Sequence, residues 1–389
     1  MRGHKIGNLG FAMKISNRTI HLSASDIVGH LNCNHLSALD VQVAKGLLAK
    51  PDHYDPLLEI LRERGYRHEQ TYIEHLQNCG YEITVIEGFD ITEEAVEATI
   101  EAMREGKSII TQGALRYNRW SGRADILRRV EIPSAFGDWS YEVIDTKLAR
   151  ETKGGTVLQL SLYADLLAHM QGVAPENIYV VAPWSDYEPQ VFRVADYAAY
   201  FRRVKRAAEL AADLSSSSTN YPEPKDYCLI CRWRTQCDQQ RRDDDHLCLV
   251  ANITKNQICE LQANGITTTQ ALADMPIPIP FVPRKGSPVS IEKAKAQASI
   301  QVQAREAGEL RYELLDVVQK IGLAALPEPS TADVFFDIES DPFVGEHGLE
   351  YLFGYAYKDK HGDMRYTGEW AFSRKEEKAA FERFVDFCQ

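Results

Sequence analysis

Asp145 and Lys147 stand two apart in the run Tyr141-Glu-Val-Ile-Asp145-Thr-Lys147, which is rich in β-formers. On a strand, residues i and i+2 share a face, so a carboxylate and an ammonium lie side by side. Such a pair suits phosphodiester chemistry. The carboxylate ligates Mg²⁺, and the lysine orients or deprotonates the attacking water and offsets transition-state charge. A hard dication asks for more than one oxygen ligand. Asp125, in Gly122-Arg-Ala-Asp125 on the preceding strand-like run, supplies a second. Gln159 and Tyr163 are spaced i, i+4 on a helical pattern, so their polar tips are neighbours that can reach the metal-bound phosphate or Lys147. His68 is expected to complete the set as a neutral imidazole ligand or a phosphate contact, with Glu69 as the weaker substitute.

A second constellation is made of thiols. Cys228, Cys231 and Cys237 crowd into ten residues as C-x2-C-x5-C. In a chain without an export signal this reads as metal binding before disulfides. A closed site generally needs four ligands. Cys33 is the best fourth, ahead of Cys248 and Cys79. A [4Fe–4S] cluster accepts such irregular spacing, and zinc is the alternative. Ligands from both ends of the segment would close a loop of roughly two hundred residues and staple the fold.

These side chains need elements to position them. Ser25-Asp26 is expected to cap a short helix leading into Cys33. A helix is predicted over 55–78, with Leu57, Leu58, Leu61, Tyr72, Ile73 and Leu76 as its stripe. Tyr81–Gly88 reads as a strand and Thr92–Glu105 as a Thr-capped helix. Ser108–Leu115, Arg123–Val130 and Tyr141–Leu148 follow as strands. Val157–Met170 is a helix, Ile178–Ala182 a strand and Asp196–Leu214 a helix, closed by a flexible run at Ser215–Ser218. Residues 1–245 therefore form one α/β unit. Residues 246–325 form a helical linker: helix, turn and helix over Ile253–Met275, a five-proline strap to Ser290, and a helical pattern over Ile291–Ile321. Residues 330–389 open a further domain with strands at Val334–Ile338 and Tyr351–Tyr357, and this last segment is too short to be finished.

Composition sets bounds. The formal net charge of −12 argues against adhesion to duplex DNA by bulk charge, although Arg116, Arg119, Arg123, Arg128 and Arg129 bracket Asp125 and could form a local basic groove. Arg202, Arg203, Lys205 and Arg206 make another cluster, which reads equally well as solvated surface. No run approaches the roughly 20 apolar residues of a membrane span, and Met1–Phe11 is no signal peptide, so a soluble cytoplasmic protein is expected. Gly106-Lys107-Ser108 lacks the first glycine of a P-loop, which excludes a nucleotide-driven motor here.

Taken in order, Gly65-Tyr-Arg-His68, Gly122-Arg-Ala-Asp125, Asp145-Thr-Lys147, Gln159-x3-Tyr163 and the one-plus-three cysteines resemble the RecB-like PD-(D/E)XK nucleases, in the branch with an iron–sulfur staple. The resemblance covers about residues 20–240. It implies a restriction-endonuclease-like mixed sheet flanked by helices, and Mg²⁺- or Mn²⁺-dependent cleavage of DNA, often single-stranded and from an end. Phe336-Asp337-Ile338-Glu339 resembles the D-x-E of RNase H-like, DEDD-type exonucleases of the YprB-like group, whose later acidic residues find no counterpart before Gln389. Asp337 and Glu339 are thus a second, incomplete site. The same order of modules resembles uncharacterised bacterial RecB-like nucleases, which implies DNA repair or processing and a helicase partner or fused helicase. Ile253–Met275 resembles a helix-hairpin-helix, which contacts phosphates through backbone amides. The competing reading is a silent nucleic-acid-binding or scaffolding subunit.

Overall fold

The computed structural model describes residues 13–16, 19–52, 54–149, 151–213, 221–342, 344 and 348–389. The expectations for Met1–Phe11 and Ser215–Ser218 lie outside the described residues. The described chain forms two compact units, Met1–Tyr54 with Val204–Asp316 and Asp55–Arg203 with Val317–Gln389.

Short runs of Ile, Val, Leu and Tyr closed by Gly, Pro or Asp become the first six strands of the second unit. In chain order these are β3 (Ile83–Val85), β4 (Ile109–Tyr117), β5 (Trp120–Val130), β6 (Ser140–Thr146), β7 (Asn177–Val181) and β8 (Gln190–Arg193), each paired with the next. The β3–β4 and β6–β7 pairs are parallel and the other three antiparallel, so the sheet is mixed, as the resemblance implied. All seven residues of β6 are buried, the signature of a central strand covered on both faces. The strand expected over Tyr81–Gly88 shrinks to three residues, Ile83–Val85, which stand in register with Ile109–Thr111.

Helices flank this sheet. Between β3 and its predecessors lies α3 (Pro56–Asn78), begun by Asp55, which accepts the Leu57 N–H at 2.9 Å. Its Tyr72 and Leu76 pack on Ile109, Ile126, Ile144 and Val181. Leu57 remains 61% exposed, so the expected stripe begins late: only the C-terminal half of α3 reaches the sheet. α4 (Glu93–Arg104) carries the expected Thr92 cap, and α5 (Gly154–Gln171) packs on β4, β5 and β6.

The first unit starts with a hairpin of β1 (Lys14–Ser16) and β2 (Thr19–Ser23), which leads into α1 (Ala24–Asn32) and α2 (Asn34–Ala44). Asp26 Oδ2 accepts both the N–H and the hydroxyl of Ser23 at 2.7 Å, so Ser23, not Ser25, opens α1. α6 (Val194–Asp213) leads, after a stretch outside the described residues, to α7 (Arg234–Asp243). A small bundle follows: α8 (Lys255–Ala263), α9 (Thr269–Ala273) and α10 (Pro288–Ala307), cored by Leu247, Leu261, Leu272, Ile291 and Ala298. The helix expected to continue to Ile321 stops at Ala307, because Gly308 adopts φ +68°, a left-handed turn that ends the hydrogen-bond ladder.

The C-terminal segment belongs to the second unit. β9 (Val334–Asp341), β10 (Leu349–Lys358) and β11 (Met364–Trp370) form an antiparallel sheet. α11 (Arg374–Cys388) sets Phe384 against Phe336 and Phe381 against Phe353. Asp337 and Glu339 pair with Gly354 and Leu352 across the ladder and stay exposed on one face. Arg64 of α3 forks onto Asp341 at 2.8 and 3.2 Å. Among the described residues no helix is long and apolar enough to cross a membrane.

Candidate active site

The strand register brings the acidic pair together. Extending the pairing of Ile126 with Ile144 sets Asp125 directly across from Asp145. Two carboxylates so placed repel one another. Burial and the facing Asp145 push the Asp125 carboxyl well above the usual range. Asp145 is 1% exposed, and its Oδ2 lies 2.6 Å from Lys147 Nζ. Neither Asp145 oxygen has a hydrogen-bond donor at a good angle, so beyond the ion pair this buried carboxylate is unsatisfied. Burial works to lower the Lys147 pKa, but Asp145 and Asp125 win and hold it above the ordinary value. The Lys147 N–H bonds Val181 O at 3.0 Å, which ties the end of β6 to β7.

Tyr163 joins this group from α5. Its hydroxyl accepts from Gln159 Nε2 at 3.2 Å, and burial together with Asp125 and Asp145 drives its pKa upward. Gly122 makes room for the ring: a Cβ there would stand 2.3 Å from Tyr163 Cε1 and 2.9 Å from Cδ1. Gly122→Ala must therefore push the ring off Gly122 and away from the carboxylates. We expect a stability loss of about 1–3 kcal/mol and cleavage slowed by roughly 100-fold. Melting curves and single-turnover cleavage check both.

His68 and Glu69 both lie beside the pair and are held in different ways. His68 turns Nε2 to Val181 O at 3.0 Å, so that nitrogen serves the strand. Glu69, ranked second on sequence, faces the pair. Burial raises its pKa, Gln112 Nε2 donates to its Oε1 at 2.7 Å, and it interacts with both Asp145 and Lys147. Asp125, Asp145, Glu69 and Lys147 thus interact electrostatically, a net negative set whose oxygens are of the kind a hard dication takes.

Four of the five arginines that bracket Asp125 are engaged within the domain. Arg123 spends its guanidinium on backbone: Nη1 donates to Gln112 O at 2.7 Å and Nη2 to Asp90 O at 2.9 Å. Arg116 is held by Glu93 and Ile91 O. Arg128 stacks over Tyr179 at 4.3 Å and Arg129 over Trp139 at 4.7 Å. Their planar heads fasten the sheet and its loops.

In the first unit, Cys33, Cys228, Cys231 and Cys237 line one cavity together with Leu36 and Arg241. Cys33 joins α1 to α2, Cys228 sits in a 3₁₀ turn at Asp226–Ile230, and Cys237 rides on α7. Asp40 binds the cysteine loop to α2 by accepting from Arg232 and, at 3.2 Å, from Trp233 Nε1. Arg241 is buried; its Nε donates to Pro222 O at 2.6 Å and Nη2 lies 3.8 Å from Cys228 Sγ. Burial pushes the Cys237 thiol up to about 11, with Arg241 opposing and the other three thiols adding to the rise. Burial, Cys228 and Cys33 raise Cys231 likewise. Such a set ionises readily only beside a cation that offsets the mutual repulsion. Among the described residues, no three His, Cys, Asp or Glu side chains stand as a ready-made metal cage.

Fold and site together are those of a phosphodiester-cleaving α/β domain. The family model of the PD-(D/E)XK nuclease superfamily matches residues 32–238, and the chain belongs to that superfamily. It is accordingly a nuclease of the class that works with divalent metal ions on nucleic acid. No curated protein matches the chain.

Proposed function

We propose that the protein is a RecB-like, Mg²⁺- or Mn²⁺-dependent nuclease that cleaves single-stranded DNA from an end, in DNA repair or processing. The observation that carries the chemical part is the unsatisfied, buried Asp145 carboxylate between Asp125 and Lys147. Asp125, Asp145 and Glu69 would hold the cation, which supplies Lewis-acid activation of the phosphate and a more acidic water. Lys147, held protonated by Asp145 and Asp125, orients the attacking water and offsets the charge that develops on the phosphate. Tyr163 and Gln159 present a hydroxyl and an amide to the substrate from α5 and bar bulk water from the carboxylates. His68 fixes the start of the β7 exit loop through Val181 and serves phosphate contact only secondarily. Polarity toward an end and single-strand preference rest on the motif resemblance.

Four thiols on one cavity, with Cys231 and Cys237 raised first by burial and a buried arginine beside them, suit a [4Fe–4S] cluster, with zinc second. We read it as a structural clasp on a nuclease module spanning about residues 1–245, followed by the helical segment and an RNase H-like segment from about 330. Asp337 and Glu339 are the only acidic pair we assign to that segment, and we assign it no activity of its own. A helicase is the partner that fits a nuclease of this type.

The test compares linear and circular single-stranded DNA, duplex DNA and RNA as substrates for anaerobically purified protein with Mg²⁺ or Mn²⁺. Loss of linear single strands, release of short products from one labelled end and survival of circles support the reading. Cutting of circles makes the enzyme an endonuclease, and preference for RNA removes the DNA assignment.

A further inference from the structure

Gln112 lies in the middle of β4, yet its φ is +56°, in the left-handed region that non-glycine residues seldom adopt. The pairings Thr111–Ile126 and Gly113–Ala124 on either side set it across from Asp125. Strained backbone of this kind persists where surrounding structure over-determines it, and it gathers at functional sites. The surroundings here do so on both sides. Arg123 Nη1 grips the Gln112 carbonyl at 2.7 Å while also reaching Ile86 O at 3.2 Å. Ile86 N–H takes the carbonyl of the preceding residue, Thr111, at 3.0 Å. Gly113 next door has no room for a Cβ, which would stand 2.7 Å from Leu127 Cδ1. The consequence is a side-chain amide that leaves the regular strand direction and donates to Glu69 Oε1 at 2.7 Å.

We propose that Gln112 is a positioning residue, whose left-handed backbone, clamped by Arg123, aims its amide at Glu69 and holds that carboxylate toward Asp145 and Lys147. With Oε1 occupied by the amide, Oε2 is the oxygen that a cation would take. This inference rests on the reading of Glu69 as a metal carboxylate. Hydrogen-bond partners of metal ligands typically contribute 10–100-fold to affinity.

The test titrates Mn²⁺ into the full, anaerobically purified chain without DNA, counting free ion by electron paramagnetic resonance. Gln112→Gly removes the amide but tolerates the positive φ, so it separates positioning from backbone strain. Gln112→Asn keeps an amide that also tolerates this φ yet falls one methylene short. Both are expected to weaken Mn²⁺ binding at least about tenfold, with the metal-free melting temperature kept or raised. Added to Glu69→Gln, Gln112→Gly should weaken binding no further. The proposal is overturned if Glu69→Gln weakens binding while both Gln112 variants stay within about twofold of wild type. If Glu69→Gln itself binds Mn²⁺ normally, the assignment of Glu69 fails first and the role of Gln112 falls with it. A melting temperature lowered in both Gln112 variants with normal affinity would make the residue merely structural.

Discussion

Asp145→Asn is expected to abolish metal-dependent cleavage, a loss of at least roughly 10³-fold, since a metal ligand supplies several kcal/mol of transition-state stabilisation. Asp125→Asn should be nearly as damaging for the same reason. The two variants part company in the metal-free protein. Asp145 is ion-paired with Lys147 at 2.6 Å, so its neutralisation leaves a half-buried ammonium without its partner and destabilises the fold. Asp125 faces a like charge and has its pKa raised, first by burial and then by Asp145. A carboxyl raised above its unfolded value of 3.8 supports the fold at lower pH and costs stability as pH climbs toward its folded pKa. Asp125→Asn removes that cost and should gain up to about 1 kcal/mol near neutrality. Urea unfolding in chelator at pH 5 and pH 8 is the measurement. The gap between Asp125→Asn and wild type must widen with pH, and a gap that narrows would mean the carboxyl is not strained by its neighbour.

Removing the proposed thiol clasp should have the larger effect on stability. Cys33 and Cys237 are roughly two hundred residues apart, and a cross-link closing such a loop is worth about 5 kcal/mol in the chain-entropy picture. The first unit is built from two chain segments, Met1–Tyr54 and Val204–Asp316, which is where a clasp of this kind acts most strongly. Cys33→Ser and Cys237→Ser are each expected to lose the bound metal and to melt roughly 10–20 °C lower. Cys79→Ser is the control, because Cys79 is exposed and lies beside His75, away from the cavity. Iron, sulfide and zinc analysis with calorimetry reads the result. Zinc without sulfide would keep the clasp and change its metal. Unchanged melting and metal content in Cys33→Ser would show that this thiol is no ligand.

Much of the candidate site was legible because its geometry is local. Asp145 and Lys147 share a face by strand periodicity, Gln159 and Tyr163 by helix periodicity, and Thr92 announces its helix by its hydroxyl. Apolar runs located β4 to β7 to within a few residues. The three-residue β3 and four-residue β8 carry too little pattern to be bounded, and α2 and α7 were not anticipated at all.

How His68 and Glu69 are held could not be read locally. Adjacent helix residues point about 100° apart, and the rotation of α3 is set by how Tyr72 and Leu76 seat on the sheet. The same holds for the arginines: composition suggested a groove, whereas carbonyls at loop ends and the faces of Tyr179 and Trp139 claimed them. Gln112 left only a faint mark, a Gln-Gly step inside a β-branched run. By itself, then, the sequence determined the α/β class and named the candidate acid–acid–lysine set and the four candidate thiols, because residue type and short-range period suffice for these. Tertiary structure alone decided which third carboxylate faces the pair, what holds the arginines around Asp125, and where a strand bends to aim an amide. Those outcomes depend on the rotation and register of elements distant in the chain, which packing sets and no local pattern encodes.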